Sequence, residues 1–491
     1  MKKCVSIFCV TVMLITALAG CNSPENETPN TPPVEGNTVN QEPQGGESST
    51  DESPEPLWTP EPIEIKYLQP DPTQTGDLTV YITPSFLYGG SLIDFYKKIY
   101  PNVNVTKEDY LDADLDAFSA QLSVDIAAGK GPDVIFTDSM FNTDVYKVIQ
   151  AGAFLELDDL IAQDASFDLN DDDYIKEVFD AAVYNGKRYA IPFSYSIPLY
   201  IANPYRLDDI GFDLSKASDT VSFLNEVVRT TPKAQATPNY LSSFEGSILG
   251  SELLNLSGIR LVDYETNTAL PDEDGLKRLL DAFKPYYHID ADADSIDSNS
   301  FRGNYMSAAP FLNNGIVMFL LTPRPTAFIF TANEMNVRSD FEMIVIPDMD
   351  GKIHANCNRA AAIRAGSPNI QNAWNFIKIM LSYEMQSHMG ITRGVPVMKS
   401  AIAAQVEEYR NIWDGVTGEF KNYTFKDMSD EEAQALIDAV MDIDSCGMFG
   451  TYTSPVTKML VDHMTPYLKD EVSYETALTG LKNQLRLYVS E

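Results

Sequence analysis

A regular alternation of strand-like and helix-like stretches is the pattern that most constrains this chain. Residues 78–82 alternate in polarity, residues 92–99 carry apolar side chains at helical spacing, and residues 103–105 alternate again. A second helical pattern spans 115–126, and a short apolar run follows at 133–136. Strands that alternate with helices predict an α/β fold with a mostly parallel sheet.

The loops that follow these strands are the expected place for a binding site. Ligands of open α/β sheets bind beyond the carboxyl ends of the strands, at the edge where the strands stop. Three loops meet this description, namely 85–90, 107–110 and 137–142. We therefore expect ligand-contacting side chains in or near them.

Length and charge exclude several classes of protein. The chain has 491 residues, which is more than one core usually needs, so we expect two or three compact units. Its 71 acidic residues outnumber 35 basic ones, and the formal net charge of −36 repels phosphate backbones and anionic lipid headgroups. We expect no nucleic-acid partner, and no membrane contact except through a lipid anchor.

The first twenty residues have the features of an export signal. Lys2 and Lys3 precede an apolar stretch, 4–17, that is shorter than a membrane span. Residues 18–21 read Leu-Ala-Gly-Cys and resemble the bacterial lipobox, in which the cysteine thiol is acylated and the signal is cut just before it. We expect a lipoprotein signal peptide at 1–20 and an anchor at Cys21, on the extracytoplasmic face of the cell membrane. An ordinary secretory signal with a chance cysteine is the alternative.

The segment 21–75 is expected to be a lipidated, disordered tether. Pro, Glu, Asn, Ser, Thr and Gly dominate it up to about residue 62 and leave few side chains to bury. Its prolines favour extended conformations that hold a folded body away from a membrane. Two cysteines remain beyond it, Cys357 and Cys446, which either pair or stay free and buried.

Several stretches, taken in order, resemble the extracellular solute-binding proteins of bacterial ABC importers, the family that includes the maltose- and oligosaccharide-binding proteins. The residues that carry the resemblance are 121–134, 152–160, 184–192, 311–318, 373–378 and 394–400. Within the first stretch, residues 129–134 read Gly-Lys-Gly-Pro-Asp-Val, like the family's Gly-x-x-Pro-Asp-Val turn. Each motif is weak alone, but their order and spacing over residues 78–400 make the resemblance specific.

The resemblance implies a two-lobed α/β fold of the periplasmic-binding-protein type, with a hinge and a ligand cleft between the lobes. It implies the capture of a small polar solute, with a sugar or oligosaccharide favoured, and delivery to ABC permease subunits. We expect no cofactor and a monomer. The expected first lobe comprises 76–198 plus 360–393, and the expected second lobe comprises 199–359 plus 394–491.

Candidate ligand-binding residues combine aromatic rings, which cover the C–H faces of sugars, with short polar groups for hydroxyls. Tyr195 leaves a hairpin beside the expected lobe crossing and is the first candidate. The full set of candidates is Tyr88, Asp138, Ser139, Tyr195, Tyr200, Thr322, Arg324 and Asn358, with Phe193 and Asn356 comparable. The alternatives are a core position for each aromatic ring, helix capping by the residues at 138–139, and a surface ion pair for Arg324.

Other functions and metal sites have weaker sequence support. Two acidic clusters, 168–173 and 290–295, begin like calcium-binding loops but lack the glycine at the sixth position and the glutamate at the twelfth. We interpret them as solvated acidic loops, or as helix N-termini that favour negative charge, and expect no metal site. A secreted glycoside hydrolase and a surface adhesion lipoprotein are the alternative functions. The sequence holds no H-E-x-x-H, G-x-S-x-G or glycine-rich phosphate motif, and we expect no catalytic residues.

Overall fold

The computed structural model describes residues 63–83, 89–110, 114–137, 144–230, 257–290, 319–321, 325–326, 328–329, 332, 341–388, 394–410, 428–447 and 455–490. Its strands are β1 (Gly76–Ile82), β2 (Val103–Asp109), β3 (Val134–Phe136), β4 (Val183–Tyr184), β5 (Lys187–Arg188), β6 (Ala190–Ser196), β7 (Leu199–Ala202), β8 (Val262–Asp263), β9 (Thr268–Ala269), β10 (Phe319–Leu321), β11 (Glu342–Val345), β12 (His354–Ile363), β13 (Val395–Pro396) and β14 (Ser445–Gly447). Its helices are α1 (Gly89–Ile99), α2 (Leu115–Ala127), α3 (Val145–Gln150), α4 (Asp158–Gln163), α5 (Lys176–Phe179), α6 (Pro204–Ile210), α7 (Thr220–Thr230), α8 (Glu273–Asp290), α9 (Ile370–Met380), α10 (Tyr383–Gln386), α11 (Lys399–Arg410), α12 (Asp430–Met441), α13 (Pro455–Leu468) and α14 (Tyr474–Ser490).

The first lobe contains three groups of paired strands, one of which is the short antiparallel pair of β4 and β5. β1 and β2 pair in parallel, with Gly76 opposite Val103 and Ile82 opposite Asp109. A five-stranded sheet has the order β13-β6-β12-β14, and β3 also pairs with β12. The sequence predicts a mostly parallel sheet, whereas β12 runs antiparallel to both β3 and β6. The reason is that β6 leads into the second lobe and β12 returns from it, so the two strands run in opposite directions.

The motif residue Asp133 ties the first lobe together just before β3. Its carboxylate accepts hydrogen bonds from the Thr79 amide at 2.8 Å, the Ser367 hydroxyl at 2.7 Å and the Asn369 side-chain amide at 3.0 Å. The Arg364 guanidinium lies 3.6 Å away, and both charged side chains are buried. Ser367 Oγ also accepts the Asn369 amide at 3.0 Å, so this hydroxyl links Asp133 to the turn that precedes α9.

The second lobe is built on β7, which pairs antiparallel with β10 and with β11. Side chains alternate along β7, so Tyr200 and Ala202 lie in the second core while Leu199 and Ile201 pack with the first. The helices α7, α8, α13 and α14 supply most of the other apolar residues of the second core. Both faces of β7 are therefore buried, which explains its continuous apolar run.

The lobe boundaries differ from the expected ones. Residues 394–491 were expected in the second lobe, yet most buried apolar side chains of 394–410 and 428–446 lie in the first core. Those buried there include Ile402, Val406, Leu436 and Val440. β12 also joins the first sheet from His354 and not from residue 360. Helical spacing shows that α11 and α12 each bury one face, but only tertiary packing decides which core receives it.

The first lobe also begins earlier than the expected end of the tether. Ile63 is buried in the first core, and Glu384 Oε1 accepts hydrogen bonds from the three backbone amides of residues 66–68, at 3.0, 2.7 and 3.0 Å. Residues 63–75 therefore belong to the folded body. The predicted signal peptide 1–20, Cys21 and the tether up to residue 62 lie outside the described residues. Among the described helices, none is long and apolar enough to cross a membrane.

Candidate ligand site at the crossing strands

Three connections between the strands and helices named above cross from one lobe to the other. β6 of the first lobe is followed, after Ile197 and Pro198, by β7 of the second. β11 of the second lobe is followed by β12 of the first, and β14 of the first lobe by α13 of the second. Because β6, β12 and β14 are neighbours in one sheet, we call them the crossing sheet. Several connections side by side restrict the lobes to one direction of rotation.

The crossing sheet has one polar and one apolar face. Paired residues on neighbouring strands share a face, as do residues two apart on one strand. The register pairs Ser196 with Asn356 and His354 with Ser445. The polar face therefore carries Ser194, Ser196, His354, Asn356 and Ser445. The apolar face carries Tyr195, Ile197, Ala355, Cys357 and Cys446.

The polar face contains buried oxygen atoms that have no hydrogen-bond partner. Among the described residues, neither Ser194 Oγ nor Asn356 Oδ1 is paired, and Ser194 is fully buried. Leaving a polar group buried and unpaired costs about 1–3 kcal/mol, so folds retain such atoms chiefly where another group completes them. A ligand with hydroxyl groups can donate to both oxygens. The polar face is therefore the candidate floor of the ligand site.

His354 and Ser445 continue the polar face toward β14. His354 Nδ1 and Ser445 Oγ are 2.7 Å apart, within hydrogen-bond distance. Burial lowers the pKa of His354 to about 4, with Asp348 opposing and Arg260 reinforcing the shift. The imidazole is consequently neutral at neutral pH, and a neutral imidazole offers one donor and one acceptor. Such a group matches an uncharged polar ligand.

A β-bulge brings a positive charge to the same part of the sheet. The ladder between β12 and β6 shifts register on both sides of Arg359, which lies opposite Ser194. Arg359 is only 8% exposed, an unusual position for a charged side chain. The candidate Asn358 precedes it in the bulge, and its backbone belongs to β12. Bulges redirect side chains and often lie beside functional sites, which supports a role for this stretch in the floor.

Neighbouring elements hold β6 closely in place. A Cβ added to Gly394 would lie 2.8 Å from the Tyr195 carbonyl oxygen, so only glycine fits there without a shift. Gln386 is fully buried, donates from Nε2 to the Phe193 carbonyl at 3.1 Å and accepts the Val397 amide at Oε1 at 2.8 Å. These contacts give the turn at 394–400 a packing role beside the candidate floor.

The aromatic candidates Tyr195 and Tyr200 lie in the cores, which corrects our expectation for them. Tyr195 is fully buried on the apolar face, and its hydroxyl donates to the Val440 carbonyl at 2.6 Å. Tyr200 is fully buried in the second core, with its ring centroid 5.8 Å from that of Phe223. A stacking platform needs a free ring face, and neither ring has one here. Tyr195 is in the core because side chains alternate along β6: Ser194 and Ser196 point to the polar face, and Tyr195 between them points to the apolar face.

Five further candidates lie outside the described residues, namely Tyr88, Asp138, Ser139, Thr322 and Arg324. The described strands β1, β3 and β10 end at Ile82, Phe136 and Leu321, just before the stretches that contain these candidates. Their assignment to the ligand site stays a prediction from the rule on strand ends.

Sequence reasoning overlooked five residues of the crossing sheet as candidates, namely Ser194, Ser196, His354, Arg359 and Ser445. The strict alternation of polar and apolar residues over 354–358 is a signal that could have revealed the polar face. The bulge that brings Arg359 opposite Ser194 has no comparable mark in the sequence.

The acidic cluster 168–173 serves local turns and loop contacts. Asp168 Oδ1 accepts the Asn170 amide at 2.8 Å, and Asp173 Oδ1 accepts the Ser400 amide at 2.9 Å. The cluster 290–295 lies outside the described residues after Asp290. Over the part of the chain that the structure describes, no group of three or more His, Cys, Asp and Glu side chains could hold a metal ion.

The two cysteines of the folded body are not bonded to each other. Cys357 and Cys446 form no disulfide, and both thiols are buried on the apolar face of the crossing sheet. Burial raises the pKa of the Cys446 thiol, which keeps it protonated and unreactive. The sequence left open whether the two cysteines pair or stay buried as thiols, and the structure shows buried thiols.

Two α/β lobes joined by crossing strands with a polar face define a two-lobed binding protein that bends at a hinge. Residues 80–387, well over half of the chain, match the family model described as bacterial extracellular solute-binding protein. The chain belongs to this family. No curated protein sequence matches the chain significantly.

Solved structures share the fold at low sequence identity. MalE, a sugar-binding protein from Xanthomonas citri, is 13% identical with a TM-score of 0.61, over 84% of this chain and 97% of that chain. Lmo0181, an ABC substrate-binding protein from Listeria monocytogenes solved with cycloalternan, is 14% identical with a TM-score of 0.56, over 85% and 100% of the two chains. UgpB from Mycobacterium tuberculosis, solved with glycerophosphocholine, is 15% identical with a TM-score of 0.55, over 85% and 99%. At these identities the likeness establishes the fold alone.

Proposed function

We propose that this protein binds a small carbohydrate, a sugar or an oligosaccharide, on the polar face of the crossing sheet. The observation that carries the proposal is the pair of buried, unpaired oxygens of Ser194 and Asn356 on that face. Sugar hydroxyls are both donors and acceptors and can complete such atoms. The neutral imidazole of His354 adds a donor and an acceptor nearby. Among the structurally similar proteins, one was solved with cycloalternan and another is a sugar-binding protein, which supports this ligand class.

Ligand capture would proceed by closure of the lobes about the crossing strands. A ligand that touches both lobes stabilises the closed arrangement by its differential affinity for it. We propose that the ligand is released chemically unchanged to ABC permease subunits, and that the protein acts as a monomer without a cofactor. The rim residues Tyr88, Asp138, Ser139, Thr322 and Arg324 would contribute from the strand-end loops.

The proposed place of action is the outer face of a bacterial cell membrane, with Cys21 as the lipid anchor. The family description, extracellular solute-binding protein, supports an extracytoplasmic location, and the lipobox-like sequence supports the anchor. Replacing Cys21 by Ala should abolish lipid labelling and release the protein into the aqueous phase of a detergent partition. Identical partitioning of the variant and the parent would contradict the anchor.

A ligand screen tests the binding proposal. We expect one or more sugars in a panel of mono- and oligosaccharides to raise the melting temperature, because a ligand that binds only the folded state stabilises it. Isothermal titration should then show that Asn356→Ala weakens binding by roughly tenfold or more, equivalent to about 1.4 kcal/mol for one lost polar contact. Asn104→Ala is the matched control, because Asn104 is exposed near the amino end of β2 and its side-chain amide donates to Asp77 at 2.9 Å, away from the crossing sheet.

Two outcomes would contradict the proposal. Equal affinity of the folded Asn356→Ala variant and the parent would exclude the polar face as the floor of the site. Hydrolysis of any member of a chromogenic glycoside panel would favour the alternative of a secreted hydrolase.

A further inference from the structure

The segment that precedes β1 is bound along the first lobe. Residues 63–75 lie before residue 80, where the family match starts. The Asp71 amide donates to the Ile99 carbonyl at the end of α1, at 2.6 Å. The Gln74 side-chain amide donates to Asn372 on α9, at 2.8 Å. Both partners belong to the first lobe, and we call residues 63–75 the strap.

One carboxylate holds the part of the strap that is nearest to the predicted tether. Glu384, on α10, is only 4% exposed, and its Oε1 accepts the successive amides of Lys66, Tyr67 and Leu68. Burial acts to raise the pKa of Glu384, but the hydrogen bonds from these amides outweigh it, so the pKa is lowered. The carboxylate therefore stays charged at neutral pH and keeps the strap backbone fixed on the first lobe.

The fixed strap turns apolar side chains to solvent. Tyr67 is 71% exposed and Ile65 is 38% exposed, and they are two of the six large apolar side chains that are exposed among the described residues. The Tyr67 and Tyr383 rings meet edge to face, with centroids 5.4 Å apart. The Lys66 ammonium lies 5.7 Å from the centre of the Tyr383 ring. Ile65, Lys66 and Tyr67 thus form one small amphipathic surface, which we call the strap surface.

The charge around the strap surface differs from that of the chain as a whole. Lys98, on α1, donates to the Ile63 carbonyl at 3.3 Å, which places the end of α1 beside the strap. The basic residues of the strap and α1 are Lys66, Lys97 and Lys98, and the acidic ones are Glu64, Asp71 and Asp94. These charges balance, whereas the whole chain carries a net charge of −36. The repulsion between this acidic protein and anionic headgroups is therefore weakest here.

The side chains of the strap surface suit the interface between water and lipid. Tyrosine combines an apolar ring with a polar hydroxyl, and lysine can bury its alkyl chain while the ammonium stays among the headgroups. We propose that the strap surface lies against the membrane and orients the anchored protein with its first lobe next to the bilayer. The inference rests on the lipid anchor of the proposed function. It replaces the expectation that the anchor alone touches the membrane.

A lipid anchor makes a weak contact of this kind sufficient. Cys21 and Ile63 are 42 residues apart. A flexible chain of that length has a root-mean-square span of about 35 Å, and such a tether holds the strap surface near the bilayer at a roughly millimolar effective concentration. Two apolar side chains bury too little area to bind an unanchored protein firmly, so we expect the contact only in anchored protein. Since the strap is bound to α1, α9 and α10 of the first lobe, the second lobe stays free to rotate.

The test uses the lipidated full-length protein in vesicles of phosphatidylcholine and phosphatidylglycerol. A fluorophore is attached at Gln69→Cys in the strap or at Thr268→Cys on β9, both exposed, while Cys357 and Cys446 are buried. Quenching by spin-labelled lipid headgroups should be at least about twice as strong at residue 69 as at residue 268. The strap variant, Ile65→Ser with Tyr67→Ser, should lower quenching at residue 69 to the level at residue 268. Its exposed positions leave the amides that bind Glu384 in place.

The matched control is Val472→Ser with Leu487→Ser, because these side chains are also exposed but belong to the second lobe. It should leave quenching at residue 69 unchanged, and circular dichroism establishes that each variant is folded. Equal quenching at residue 69 in the parent and the strap variant, or quenching no stronger there than at residue 268, would overturn the inference.

The same comparison separates this inference from the anchor proposal. If detergent partition shows that the parent carries no lipid, the anchor proposal fails. The same variants are then held on nickel-chelating lipid through an amino-terminal hexahistidine tag, and the quenching at residues 69 and 268 decides whether the strap surface touches the bilayer. Because no sugar is present, either result leaves the carbohydrate proposal standing.

Discussion

Replacing Asp133 by Ala should remove a large part of the stability of the first lobe. The Asp133 carboxylate accepts three hydrogen bonds, at 2.8, 2.7 and 3.0 Å, and lies 3.6 Å from Arg364. The two side chains are 3% and 7% exposed, so the variant leaves a guanidinium buried without its carboxylate. Removing one partner of a buried ion pair costs about 3–5 kcal/mol. Hydrogen bonds to a charged group contribute about 1.5–3 kcal/mol each, but the cost of removing the carboxylate from water offsets part of their sum.

The measurement is urea denaturation followed by fluorescence of the buried Trp374. A loss of about 3–5 kcal/mol is large against the total of about 5–15 kcal/mol that folded proteins have. Asp94→Ala is the control, because this exposed residue of α1 has no hydrogen bond or ion pair with another described residue, and it should change stability by less than about 0.5 kcal/mol. The double variant with Arg364→Met should cost less than the sum of the single variants, because it also removes the unpaired charge.

One result would refute this reasoning. If Asp133→Ala lowers the free energy of unfolding by less than about 1 kcal/mol with an unchanged dependence on urea, the turn before β3 is not held by its carboxylate. The Gly-x-x-Pro-Asp-Val motif would then need another explanation.

Three further predictions concern the crossing strands and the first core. The free energy of unfolding of the wild type should fall as the pH drops from about 6.5 toward 4, because His354 takes up a proton in the unfolded protein but stays neutral in the folded protein. Urea midpoints measured across this pH range should show the fall, and they should depend less on pH in the His354→Asn variant. Gly394→Ala should lower stability by about 1–3 kcal/mol in thermal melts, because the added Cβ overpacks against the Tyr195 carbonyl. The control Gly90→Ala, which has no atom within 4 Å of the added Cβ, should be neutral or stabilising in the same melts. Trp374→Ala should cost about 3–5 kcal/mol by opening a cavity, and a smaller loss in denaturation would show that this ring is not central to the core.

The sequence predicted the local elements well, because their signals lie within a few residues of each other. The alternation at Leu78, Val80 and Ile82 corresponds to β1, and the helical spacing at 92–99 corresponds to α1. The motifs in register from residue 78 to 400 predicted the family, which the match over residues 80–387 confirms. Such patterns record the environment of each residue, buried or exposed, and that is enough to identify a strand, a helix or a family.

Which core each element joins, and which side chains meet, was decided only by the tertiary structure. The amphipathic helices α11 and α12 pack with the first core although they follow the last motif in the chain. Asp144, Tyr264 and Tyr488 are 120 and 344 residues apart along the chain, and no local pattern indicates that they meet at one carboxylate oxygen. A hydrophobic stripe specifies burial but not its partner, and a register shift of one residue moves a side chain such as Tyr195 from a ligand floor into a core. Long-range pairing fixes both, and it is a property of the whole chain and not of any window within it.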